Sequence, residues 1–266
     1  MRSLSSLPAW LPFATYLVAT VVAAITVPFR SLQQRALWGT ILLAIVAGFA
    51  RVIYADAAPI GYFVSGGLAL CIAGWALYDR RFESARWLAR ASDAIVLRSP
   101  FRGRWRVAAG GPDPKRNHHQ RVSDQYFAYD FLRKDGDSWQ APILAPCGGR
   151  IAHVEDRHDD ALPAASRSDR KNPAGNYVSI ETPRGYVILA HLKRGTIVVR
   201  NGDTVRVGQE IAQCGNSGNT TGSHLHVHAQ DRALIAVDVA QGIPIAFLSG
   251  SEPSLLAYGD ILRGPP

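Results

Sequence analysis

Hydrophobic and polar positions change their rhythm near residue 79. Before it, three stretches carry no charged side chain, 3–29, 36–50 and 57–78. A helix that crosses the hydrocarbon core needs roughly 20 apolar residues, so the pattern predicts transmembrane helices over 8–29, 36–55 and 60–78. In the second, Arg51 interrupts the apolar run and has to carry its guanidinium to the interface. The first is longer than the apolar region of a cleaved signal peptide, roughly 7–15 residues, and reads as a retained anchor. Beyond residue 94 the apolar positions come in short alternating runs. These predict strands over 94–100, 104–111, 125–132, 143–156, 175–181, 185–192, 196–200, 203–207, 210–215 and 224–230. Turn signals such as Pro183-Arg184-Gly185, Asn201-Gly202 and Gly215-Asn216-Ser217-Gly218 separate them. Many short strands at near-regular spacing predict an antiparallel sandwich or barrel. Residues 157–175 follow neither period and read as a long surface loop, functional or mobile at that length. The organisation is thus a helical transmembrane region over 1–78, a basic juxtamembrane linker helix over 79–93 and an all-β domain over 94–266.

Charge narrows the partners. The net charge of +8 would suit nucleic acid, but its excess is local: residues 79–106 hold eight arginines against Asp79, Glu83 and Asp93. A basic cluster directly after an apolar segment suits anionic lipid head groups. No basic-aromatic recognition motif follows, so the expected partner is the lipid bilayer and not nucleic acid. The three cysteines form no CxxC pair. Cys147 and Cys214 read as small buried residues rather than a disulfide, since spacing alone cannot bring their backbones together.

The candidate chemistry lies in the histidines, all eight of which follow residue 117. His224 and His226 sit at i and i+2 of a predicted strand, which puts them on one face roughly 6.5–7 Å apart. Such a pair can be two half-exposed polar residues on the wet face of a sheet. It can also set one imidazole on a metal and the other beside it as acid, base or donor. Neutral imidazole is a common zinc ligand, and a hydrolytic zinc site takes three protein ligands and keeps one position open.

From Asp130 to Gln230 the chain resembles the M23 family of zinc metallopeptidases, the LytM and lysostaphin type that cut peptide cross-links in peptidoglycan. The matching stretches are AYDF, APCGGRIAHVED, NPAGNYVSIE, YVILAHL, NGDTVRVGQEIA and GNSGNTTGSHLHVH, in matching order and spacing. A lone GDxVxxGQ would be weak, because biotinyl and lipoyl carrier domains use a similar turn, but no modifiable lysine stands in this one. The resemblance implies a compact β fold, Zn2+ as cofactor and peptidoglycan peptides as substrate. It makes Asp130 and His226 metal ligands, and His191 and His224 the two catalytic histidines that orient the water, take its proton and stabilise the oxyanion.

One departure matters. The family's HxxxD motif has its histidine four residues before the aspartate, where this chain has Tyr126. His118 and His119 lie further upstream, and the expectation is that a loop folds back so that one of them completes the ligand set. Smaller candidates are Tyr126 as an oxyanion donor or packing residue, Asn176 as an orienting or turn residue, and His228 behind the ligands or in solvent. His153 and His158 receive no role, and Ser223 replaces a more usual proline.

The expected function is a membrane-anchored zinc endopeptidase of the bacterial cell wall that attacks peptide bonds with zinc-activated water. The alternative is a catalytically silent domain of the same fold that binds peptidoglycan or regulates another hydrolase. Arg30, Arg35 and the arginine-rich linker would place the β domain in the cytoplasm by the positive-inside tendency. The substrate demands the other side, and the expectation follows the chemistry: a multi-pass inner-membrane protein with its β domain extracytoplasmic.

Overall fold

The computed structural model describes residues 87–88, 93–235 and 239–266. These belong to a unit that runs Phe82–Pro266. The three predicted spans and most of the predicted linker helix lie outside the described residues, among which no helix is long and apolar enough to cross a membrane.

In chain order the strands are β1 (Ile95–Leu97), β2 (Arg104–Ala109), β3 (Tyr129–Arg133), β4 (Pro142–Leu144), β5 (Gly149–Glu155), β6 (Asn176–Thr182) and β7 (Gly185–Leu192). They continue with β8 (Thr204–Val205), β9 (Glu210–Gln213), β10 (Leu225–Gln230), β11 (Gly242–Ile243), β12 (Ile245–Ser249), β13 (Glu252–Ser254) and β14 (Ile261–Arg263). The main sheet has the order β14-β2-β3-β10-β7-β6-β5-β8, with β11 paired to β10. Smaller sheets have the orders β1-β12-β13 and β4-β9. The described part is thus mostly β-sheet with little helix.

Strand direction and strand extent differ from the sequence pattern in several places, among them the break of the run 143–156 into β4 and β5. The pairs are antiparallel except β1 with β12, which run parallel with Ile95 opposite Ile245. Parallel strands need a long crossover, and the whole intervening domain supplies it. Residues 196–200, predicted as a strand, are irregular. Thr196 turns back on the Lys193 carbonyl through both its amide and its hydroxyl, and Val198 donates a single bond to the Ile211 carbonyl. The run at 125–132 becomes strand only at Tyr129, because the Ala128 amide closes a turn onto the Gln125 carbonyl.

Alternation along β10 positions the site. Leu225, Val227 and Ala229 enter the hydrophobic core, together with Val187 and Leu189 of β7 and Tyr129 and Phe131 of β3. His226, His228 and Gln230 take the opposite face by the two-residue period of a strand, yet they are buried too. A polar face that is buried has to find partners within the protein or be destabilising. Cys147 and Cys214 are both buried and free, in line with their reading as small core residues.

Candidate metal centre

Strand register assembles the centre from distant parts of the chain. β10 lies between β3 and β7, so His226 stands opposite Asp130 on one side and Ala190 on the other. His191 follows at the end of β7 with a left-handed φ of 61°, uncommon for a residue with a side chain. Its amide donates to the Ala174 carbonyl at 3.0 Å and its carbonyl accepts from the Gly215 amide at 2.9 Å, which fixes that turn.

His191 and His224 are each held by a partner of known polarity. His191 Nδ1 lies 2.8 Å from the Ser217 carbonyl oxygen, and His224 Nδ1 lies 2.7 Å from the Gly222 carbonyl oxygen. A carbonyl only accepts, so in both rings Nδ1 carries the proton and Nε2 is left with its lone pair. The two ring centroids are 4.6 Å apart, and His224 Nε2 is 3.7 Å from Asp130 Oδ1. His226 Nδ1 is 2.9 Å from Asp130 Oδ1. Its Nε2 is 2.9 Å from His228 Nδ1, and His228 Nε2 is 3.0 Å from Gln230 Oε1.

The NHH segment does fold back. His118–Arg121 form a 3-10 helix, and Asn117 Nδ2 and Gln120 Nε2 dock it by donating to the Gly111 carbonyl at 2.8 and 3.0 Å. His119 is buried, with Nε2 3.0 Å from Asp130 Oδ2. That nitrogen is out of line for a hydrogen bond and has no hydrogen-bond partner. His118 Nε2 is 3.9 Å from the same oxygen, and its side chain is 64% exposed. Ligand atoms of His118, His119 and Asp130 all lie within 4.8 Å of one another.

This donor set fits a divalent cation of borderline softness. One carboxylate is flanked by imidazole nitrogens, and the buried His119 Nε2 is left unsatisfied within the protein. Burial alone would raise the Asp130 carboxyl, but the imidazoles of His119 and His224 outweigh it and hold it well below the usual carboxylate range. Burial, reinforced by His224 and His226, pushes His191 well down. Burial likewise lowers His226 to about 3 and His228 to about 4. Burial thus favours the neutral, ligand-competent form of His118, His191, His226 and His228 beside an ionised Asp130, which suits Zn2+.

All six residues singled out from the sequence, His118, His119, Asp130, His191, His224 and His226, line one groove of about 600 Å³. Ser166, Arg167, Ser168, Arg170, Pro173 and Ala174, from the loop at 157–175, form part of its wall. That loop is stitched to the 215–223 segment by bridges Asp160 to Ser217 and Arg167 to Thr220. Asn216 Nδ2 adds bonds to the Leu162 and Ala165 carbonyls at 2.6 and 2.9 Å. Ser223 donates to the Pro163 carbonyl through both its amide and its hydroxyl, the first of which a proline could not make.

The smaller candidates fall elsewhere. Tyr126 packs against the core and edge-on to Phe127. Asn176 is fully buried and ties the His158 backbone to the Leu192 carbonyl. The His153 ring packs on Tyr177, and His158 Nε2 approaches Glu155 at 3.8 Å. His228, left open between a position behind the ligands and solvent, is 1% exposed and bonded to His226.

Ser217 is a residue the sequence did not flag. Its carbonyl sets the His191 tautomer, and its hydroxyl accepts from the Asn176 amide and donates to the Leu192 carbonyl. Gly175 allows that approach: with φ of 59°, a Cβ there would lie 2.4 Å from the Ser217 carbonyl carbon. Gly175→Ala adds a left-handed penalty of roughly 1–2 kcal/mol to a clash with backbone. It is expected to lower stability by more than that in denaturant unfolding and to reduce activity, because Ser217 must move. Unchanged stability and activity would contradict this account of the turn.

Comparisons with known proteins bear on the same segment. Residues 130–239 match the model of peptidase family M23, a range that includes Asp130, His191, His224 and His226 and starts after His118 and His119. The chain is 29% identical over 184 residues to the peptidoglycan DD-endopeptidase ShyB of Vibrio cholerae, covering 66% of this chain and 38% of that protein. It is 30% identical over 172 residues to the peptidoglycan DD-endopeptidase ShyA of the same organism, covering 64% and 33%. The chain therefore matches 33–38% of the length of these curated relatives. A crystal structure of a zinc containing peptidase from Vibrio cholerae aligns with a TM-score of 0.31 and 23% identity, over 56% of this chain and 38% of that one.

Proposed function

We propose that this chain, whose β unit carries an M23 peptidase family domain, is a zinc-dependent endopeptidase that hydrolyses peptide bonds in peptidoglycan. The observation that carries the reading is the convergence of His119, Asp130 and His226 beside two further imidazoles, His191 and His224, whose Nε2 lone pairs are free to act. His119, Asp130 and His226 would hold the ion, with His118 at the exposed rim. A zinc ion bound by these residues would supply Lewis acidity to the substrate carbonyl and the attacking water.

The remaining chemistry belongs to the protein. His224 takes one proton of the attacking water at Nε2 and hands it to the leaving amine. His191 accepts a hydrogen bond from the other O–H of that water at its own Nε2, which fixes the direction of attack. Carbonyl partners on Nδ1 keep both rings in the tautomer this requires. The groove of about 600 Å³, walled in part by the 157–175 loop, would receive the peptide. Peptidoglycan as substrate assigns the β unit to the extracytoplasmic side, with residues 1–78 as the membrane anchor.

Incubation of the purified full chain with peptidoglycan tests the reading. The expected result is release of peptide fragments with new amino termini, stopped by a chelator and restored by zinc. Binding to peptidoglycan without any release, with or without zinc, would point instead to a silent module.

A further inference from the structure

The contacts that link Asp130, His226, His228 and Gln230 have one hydrogen too few. Three contacts of 2.9, 2.9 and 3.0 Å join the four groups. In the neutral form that metal ligation requires each imidazole brings one N–H, and neither a carboxylate nor an amide oxygen adds another.

Gln230 decides which contact goes without. Its Nε2 donates to the carbonyls of Arg232 and Leu234, both at 2.8 Å. Turning the amide over would set Oε1 against two carbonyl oxygens, so Oε1 faces His228 as an acceptor. His228 Nε2 must then donate, which leaves its Nδ1 bare. A proton on His226 Nδ1 would set its Nε2 against that nitrogen at 2.9 Å, two buried ring lone pairs face to face. A proton on His226 Nε2 satisfies His228 and moves the empty contact to His226 Nδ1 and Asp130 Oδ1, two acceptors 2.9 Å apart. They repel unless a cation joins them, and this contact lines the groove.

The opposite polarity would move the collision to His228 and Gln230, which are 1% and 0% exposed. Burial without compensation makes that arrangement the costlier one.

We propose that His228 and Gln230 are positioning residues: they hold His226 with its proton on Nε2 and its lone pair on Nδ1, aiming Nδ1 and the Asp130 carboxylate at one metal ion. The inference rests on the metal reading above. It extends the row of polar side chains on one face of β10 from His226 to His228 and Gln230, with His224 just ahead of the strand.

The test uses the full chain with nitrogen-labelled histidine, loaded with zinc or with a spin-active cadmium isotope. The expected spectrum shows cadmium coupled to His226 Nδ1 and a slowly exchanging proton on His226 Nε2. Zinc affinity should fall about 10–100-fold in His228→Leu and in Gln230→Leu, with secondary structure unchanged. His228→Gln, whose amide can accept from His226 and donate to Gln230 in the same sense, should recover affinity to within a few fold. Cadmium coupled to His226 Nε2 overturns the proposal even if the leucine variants fail to fold. So does a folded His228→Leu that binds zinc as tightly as the unaltered chain. An unaltered chain that takes up neither metal removes the metal reading itself and this inference with it, whereas uptake with no difference among the variants removes only the inference.

Discussion

Asp130→Asn is expected to strip the metal and to lower peptide hydrolysis by at least about 10³-fold. Asp130 is the only charged group in the proposed ligand set, and its two oxygens face different imidazoles, Oδ1 toward His226 and Oδ2 toward His119. Asparagine keeps the size and one oxygen but turns the other position into an N–H donor. That donor satisfies an imidazole lone pair directly and leaves a cation no anionic partner. Metal assistance is worth several kcal/mol of transition-state stabilisation, and each 1.36 kcal/mol is tenfold in rate. Metal content and kcat/KM should fall together while the fold persists. A variant that kept both would remove Asp130 from the site.

His224→Ala should separate chemistry from metal binding. Its ring is fixed through Nδ1 to the Gly222 carbonyl, and Nε2 stands 3.7 Å from Asp130 Oδ1, beside the ligands rather than within a hydrogen bond of them. Loss of a positioned general base lowers kcat by about 10²–10⁴-fold. Zinc content should match the unaltered chain, and KM should change little because the groove wall is otherwise intact. Equal loss of zinc in His224→Ala and Asp130→Asn would mean that His224 is a ligand and that the division of roles is wrong.

The sequence showed the site's chemistry more fully than its geometry. Alternation in HLHVHAQ was enough to put His224, His226 and His228 on one face and Leu225 and Val227 in the core. The facing of Asp130 and His226, 96 positions apart, is a register fact that no local period carries. His118 and His119 were legible as ligand-type residues, but the 3-10 helix and the Asn117 and Gln120 bonds that dock it depend on the Gly111 backbone. Ser217 sets the His191 tautomer through its main-chain carbonyl and braces the turn through its hydroxyl, and neither role leaves a periodic signal in the sequence. The strands β11 to β14 were missed because Gly242, Pro244, Gly250, Pro253, Gly259 and Gly264 break the apolar positions there into pieces that read as turns. The predicted strand at 196–200 failed for the opposite reason: its β-branched composition suits a strand, but Thr196 spends its polar groups on a turn.

The central claim is that His119, Asp130 and His226 hold one dication, and metal stoichiometry across two neighbouring substitutions tests it most directly. The full chain should carry one zinc, His118→Ala should keep it, and His119→Ala should lose it. A chain that takes up no zinc, or a His119→Ala variant that retains it in full, would contradict the account.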